Sequence, residues 1–106
     1  MKIHPVFIMT APVLLLVSHV QLETSGQSVQ PVQLSAARTL FLRNCAHCHG
    51  ADAHGDDGPD LHDIDWTDEQ IAARIRNGKA GQMTAFAGKL KPAEIDALVA
   101  YVQSLK

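Results

Sequence analysis

The only two cysteines in the chain stand three positions apart and a histidine follows at once, in Asn44-Cys45-Ala46-His47-Cys48-His49-Gly50. No other feature narrows the available folds as much, because the remaining residues are short of material for a core. Residues 27–106 hold only four aromatics, Phe41, Trp66, Phe86 and Tyr101. A domain of this size buries only about 60% of its unfolded surface and is marginal without a metal, a disulfide or another staple. Something besides side chains is therefore expected to fill its centre.

Cys-x-x-Cys-His is the spacing at which c-type haem is attached. On one tight turn, Cys45 and Cys48 can each form a thioether to a haem vinyl group, which leaves His49 aimed at the iron from the same side. Three other uses of these residues compete. A dithiol redox pair normally sits on the strand-to-helix turn of a βαβ unit, and no strand pattern precedes Cys45. Zinc would need four ligands, with His54 or His62 completing Cys45, Cys48 and His49. A plain disulfide between Cys45 and Cys48 would close too short a loop to staple much. The expected cofactor is one covalent haem c.

An electron carrier needs the sixth iron position filled, and thioether sulfur opposite imidazole raises the potential. Met83 is the only methionine after residue 26. A lone methionine often serves as core filler, but this one lies in the Gly-rich stretch KAGQMTAFAGKL between two helical patterns, so it is the first candidate ligand. His62 is the alternative. His54 lies too close to His49 in the chain to cross the ring, and His47 is expected to face solvent.

The chain is expected to be all-α. Residues 1–26 read as a signal peptide: after Lys2 the run IHPVFIMTAPVLLLVSHV carries no charged Lys, Arg, Asp or Glu, and a polar segment ends it. The competing reading is a retained N-terminal membrane anchor, at the short edge of what spans a bilayer and interrupted by Pro12. Either reading makes the rest an exported, periplasmic-type domain. Residues 27–33 read as linker and 34–106 as the domain. A helix is predicted over Leu34–Asn44, with Ser35 as a cap and Leu34, Ala37, Leu40 and Phe41 on one face. Residues 51–65 are a loop, punctuated by Gly55, Gly58, Pro59 and several Asp. Thr67 and Gln70 form a capping-box pattern opening a second helix, which buries Ile71 and Ile75 and ends at Asn77-Gly78. Pro92 opens the last helix, with Ile95, Leu98, Val99, Val102 and Leu105 as its apolar stripe. There is no strand pattern and no internal repeat.

In order along the chain, NCAHCHG, GPDL, QMTAF and LVAYVQSL resemble the motifs of small monohaem class I cytochromes c, and the likeness covers Ala37 to Leu105. It implies three main helices around one haem, with Ala37 and Phe41 crossing Tyr101 of the last helix. It also implies that Pro59 offers its carbonyl to the ligand histidine and that Leu61 packs on the ring. That role of Pro59 has an independent physical reason, since a His ligand needs its other ring nitrogen held. Trp66 is similar to an aromatic lining the haem, although a simple core Trp would leave the same signal. One position departs from the family: Thr84 stands where Pro commonly follows the ligand methionine, which removes a rigid φ and softens the loop.

The function expected is transfer of one electron between exported or membrane-bound partners such as a dehydrogenase, an oxidase or another cytochrome. A haem-bearing subunit of a dehydrogenase or oxidase is the variant reading, and a sensor or peroxidase-like protein with a labile sixth ligand is the other. No nucleophile with an adjacent base and no phosphate-binding glycine loop points to an enzyme. Residues 27–106 carry eight Lys/Arg against ten Asp/Glu, with no basic excess for nucleic acid. The charge is unevenly spread. Residues 52–69 hold eight acids and no Lys or Arg, whereas 70–93 hold Arg74, Arg76, Lys79, Lys89 and Lys91 and no acid. A basic flank beside the Met83 side would steer an acidic partner to the haem edge.

Overall fold

A computed structural model describes residues 30–106. The expected leader, residues 1–26, lies outside the described residues, as do residues 27–29 of the expected linker. Four helices follow one another: α1 (Pro31–Asn44), α2 (Ala46–His49), α3 (Asp68–Asn77) and α4 (Pro92–Gln103). Among the described residues there is no strand; an isolated bridge joins Lys79 to Met83.

Helix α1 begins at Pro31, earlier than the Leu34 start read from the sequence, so residues 31–33 form its first turn. Pro31 at the first helical position has a preset φ and gives up an N–H that would have no partner there. Gln33 reaches back to accept the Gln30 N–H at 3.3 Å. Ser35 is consequently not a cap: it sits inside the helix, and its hydroxyl donates to the Val32 carbonyl at 2.8 Å.

The other helix boundaries match the local signals. Thr67 Oγ1 accepts from the Gln70 N–H at 3.3 Å, and Gln70 Oε1 accepts from the Thr67 N–H at 2.9 Å, so two donors at the start of α3 are satisfied reciprocally. Helix α3 ends at Gly78, whose N–H donates to the Arg74 carbonyl. Pro92 opens α4, and Glu94 accepts the Lys91 N–H at 2.8 Å.

Helices α1 and α3 both pack on α4. Ala37 and Phe41 of α1 are 1% exposed, and the Phe41 ring meets Tyr101 of α4 at a centroid distance of 5.1 Å, tilted by 47°. That is the offset geometry that ring quadrupoles favour. Ala37 is buried in one cluster with these rings. Ile71 and Ile75 from α3 join Ile95, Leu98, Val99 and Val102 from α4 in the same cluster. Its large side chains are few, and the helices leave a cavity between them.

Candidate haem-binding site

Helix α2 is a single turn, and its last carbonyls would be unpaired if the chain continued extended. The following loop supplies the partners. The Gly55 N–H donates to the His49 carbonyl at 2.7 Å and the Gly58 N–H to the Cys48 carbonyl at 2.6 Å, while Leu61 N–H donates to Ala53 at 2.9 Å. Residues 50–61 are thereby folded back onto the turn, and Pro59 comes against His49.

The contact is specific. His49 is 8% exposed, and its Nδ1 lies 2.8 Å from the Pro59 carbonyl oxygen. A carbonyl can only accept, so Nδ1 carries the proton and Nε2 keeps its lone pair. Among the described residues no protein group pairs with Nε2. Gly58 permits the approach: a Cβ there would stand 3.1 Å from both Nδ1 and Cε1 of His49. The GPDL resemblance brings forward Pro59 and Leu61 but not Gly58, the glycine of the same motif.

Cys45, Cys48 and His49 line a cavity of about 520 Å³, inside the range of about 300–1,000 Å³ typical of small-molecule and cofactor sites. Pro59, Leu61, Trp66 and Met83, the remaining residues singled out from the sequence, line the same cavity. Phe41, Ile71, Ile75, Leu98 and Val102 make it largely apolar, and Ile64, which the sequence did not bring forward, joins them. Trp66 is a rim residue rather than a core one: it is 40% exposed, and the Arg74 guanidinium lies 5.2 Å above its ring.

Met83 is held by backbone pairing. Lys79 N–H donates to the Met83 carbonyl and Met83 N–H to the Lys79 carbonyl, each at 2.8 Å. The chain then returns to α3, with Phe86 N–H on Ile75 and Ala87 N–H on Arg76. These bonds satisfy late α3 carbonyls and anchor the loop where Thr84 replaces a rigid proline. Gly78 is required at its base. Its φ is +63°, and a Cβ would collide with the Met83 carbonyl oxygen.

His62 and His54 are elsewhere. Neither lines the cavity; the Nδ1 atoms of both face the Asp60 carboxylate. Asp60 therefore sits well below the usual carboxylate range, at about 2, first because the His62 N–H and ring donate to it and then through the His54 ring. His47 is exposed, as expected. Cys45 and Cys48 are free thiols. Burial, and secondly the neighbouring Cys48, push the Cys45 thiol up to about 11. A catalytic dithiol depends on a lowered thiol pKa, so this environment opposes a redox-pair use. A four-ligand zinc site is not assembled either, because His54 and His62 lie with Asp60 and away from the cysteines.

The donor set fits a haem: two thiols and a buried imidazole with a free, oriented nitrogen, facing an apolar cavity that a thioether also lines. Such a helical shell and site define a small c-type cytochrome. The model of the family described as cytochrome c oxidase, cbb3-type, subunit III matches residues 32–102, and the chain belongs to that family. A cbb3-type cytochrome c oxidase subunit CcoP of Rubrivivax gelatinosus is 38% identical over 81 residues, covering 71% of this chain and 27% of that protein. A FixP subunit of Bradyrhizobium sp. (strain ORS 278) is 39% identical over 83 residues, covering 72% and 29%. The chain thus spans under a third of the length of these curated relatives. Among solved structures, the KustC0563 c-type cytochrome superposes with a TM-score of 0.61 at 32% identity, over 66% of this chain and 96% of that one. Cytochrome cL of Methylophaga aminisulfidivorans gives 0.63 at 27% identity, over 72% and 55%.

Proposed function

We propose that the chain carries one covalently attached haem c and passes single electrons between exported redox proteins, with an oxidase assembly as its destination. The observation that supports this best is the buried His49, its Nδ1 occupied by the Pro59 carbonyl, sharing one apolar cavity with Cys45, Cys48 and Met83. The names of the relatives favour the oxidase-subunit variant over a free carrier.

Bound haem supplies the one-electron redox chemistry. Cys45 and Cys48 are the attachment points, and the one-turn helix sets their spacing. His49 offers Nε2 to the iron, and Pro59 fixes its tautomer and ring orientation, which also strengthens donation. Met83, presented by the Lys79–Met83 bridge, would offer its thioether to the iron. Leu61, Ile64 and Leu98 keep water away, which lowers the reorganisation that accompanies a change of charge. Trp66 and Arg74 line the cavity together, and the Arg74 guanidinium would supply a positive charge to carboxylates of the group. In this reading the chain holds and tunes the group, and any catalytic step belongs to the complex.

Residues 1–26 are the export signal or membrane tether in this reading, and 34–106 the cytochrome domain in the periplasm. No helix of the described residues is long and apolar enough to cross a membrane. Purification from cells that install haem c tests the whole reading. The reduced protein is expected to show the sharp visible bands of low-spin haem, and intact mass spectrometry one haem per chain and the state of the leader. A colourless product ends the proposal; rapid carbon monoxide binding by the reduced form would favour the sensor or peroxidase-like reading.

A further inference from the structure

The loop that brings Pro59 to His49 carries a second group of metal-ligating side chains on its outer surface. His54 Nδ1 lies 3.3 Å from Asp60 Oδ2, and His62 Nδ1 lies 2.9 Å from Asp60 Oδ1, so each imidazole addresses a different oxygen of one carboxylate. The two rings are stacked, 3.8 Å between centroids and 11° from parallel. One ligand atom from each of the three residues falls within 4.8 Å of the others. We propose that His54, Asp60 and His62 form a second metal site, on the surface, for a late first-row divalent cation such as Zn²⁺, Ni²⁺ or Cu²⁺.

Geometry, chemistry and field agree on this. Ligand atoms about 2.0–2.2 Å from one zinc ion stand roughly 3–3.5 Å apart in a tetrahedral shell, so the separations need only a small closure. The closure is available to exposed side chains: His54 and Asp60 are 60% and 50% exposed and His62 23%. The backbone beneath is not loose. The Leu61 N–H is bonded to Ala53, the His62 N–H donates to Asp60 at 2.8 Å, and the His54 N–H donates to Asp52 at 3.1 Å. Two imidazoles with one carboxylate suit late transition ions, whereas Ca²⁺ and Mg²⁺ take all-oxygen sets. The cluster also sits in the acidic stretch 52–69, which holds no Lys or Arg, so the local field attracts a cation.

Three protein ligands leave the remaining positions to water, which makes this an exchangeable site. It is separate from the haem cavity, which none of the three residues lines. It is joined to that cavity through the chain, because Asp60 follows Pro59 directly. The proposal does not depend on the oxidase assignment; it requires only that His62 stay outside the haem cavity, which it does not line.

Calorimetric titration of the purified haem-loaded protein with zinc chloride, chosen because Zn²⁺ is redox-silent, tests it. The expected result is one saturable site in the wild type, weakened at least tenfold in both His54→Gln and Asp60→Asn and unchanged in His47→Gln, whose imidazole is exposed on the attachment turn. The visible spectrum of each variant checks that its haem pocket is intact, and His54→Gln, the most exposed of the three, serves if Asp60→Asn disturbs the loop. Absence of a saturable site, equal affinity in His54→Gln, or loss of binding in His47→Gln overturns the assignment.

Discussion

At the scale of single residues, the site depends on one hydrogen bond and one sulfur. His49 is buried with Nδ1 committed to the Pro59 carbonyl, so in the neutral imidazole it is Nε2 that keeps a lone pair for donation. Met83 shares that cavity, and His62, bonded to Asp60, does not. Replacing Met83 by Ala is therefore expected to lower the reduction potential markedly and to abolish the weak long-wavelength band of iron–thioether ligation, as read by redox titration and optical spectroscopy. An unchanged potential would transfer the sixth position to another side chain. Asp60 gives a second test. Its carboxyl is held at about 2 against an ordinary 3.8. A depressed carboxylate pKa contributes stability that is complete above about pH 3.8 and is lost as pH falls through about 2. Acid titration of the holoprotein should show loosening of the 50–61 loop in that window, and Asp60→Asn should remove that component.

The elements owe their positions to how their ends are satisfied. The carbonyls that end α2 are covered by Gly55 and Gly58, and late α3 carbonyls by Phe86 and Ala87, so both loops that present groups to the cavity double as helix caps. Gly78 is the residue on which the second loop turns. Its φ of +63° and ψ of −158° lie in a region only glycine occupies comfortably, at a cost of about 1–3 kcal/mol for another residue. Gly78→Ala, whose Cβ would also meet the Met83 carbonyl, is expected to lower the thermal midpoint followed by circular dichroism. The same variant should lose the iron–thioether band at temperatures where the helices persist. Retention of both would show that this glycine does not position Met83. The start of α1 was read three residues late from the sequence. Ser35 is a good cap by type, but Pro31 already satisfied the first-turn geometry upstream, and one competing signal masked the other.

On the scale of the whole molecule, the charges separate along the chain and partly around the site. Lys79 and Arg74 line the cavity, while the acidic stretch carries the His54–Asp60–His62 cluster. Electron exchange with an acidic partner is accordingly expected to slow as ionic strength rises from about 10 mM to 150 mM, where the screening length falls from about 30 Å to 8 Å. Stopped-flow rates should show this slope reduced in Lys79→Glu; a slope that is flat in the unaltered protein would remove steering from the account.

Cys45, Cys48 and His49 point to a haem in the linear order, because attachment to a macrocycle needs those atoms on one turn and that spacing can supply it. Helix type and approximate extent were equally legible in the apolar periodicity and in Thr67, Gln70 and Pro92, since such signals act within a few residues. Distance in the chain hid the rest. That Met83 shares the cavity with His49 while His62 turns outward to Asp60, that a Cβ at Gly58 would crowd His49, and that Trp66 lies at a rim are consequences of how α1 and α3 pack on α4 and how two loops cap helix ends. Such contacts depend on groups brought together from separate segments, and no local pattern encodes them.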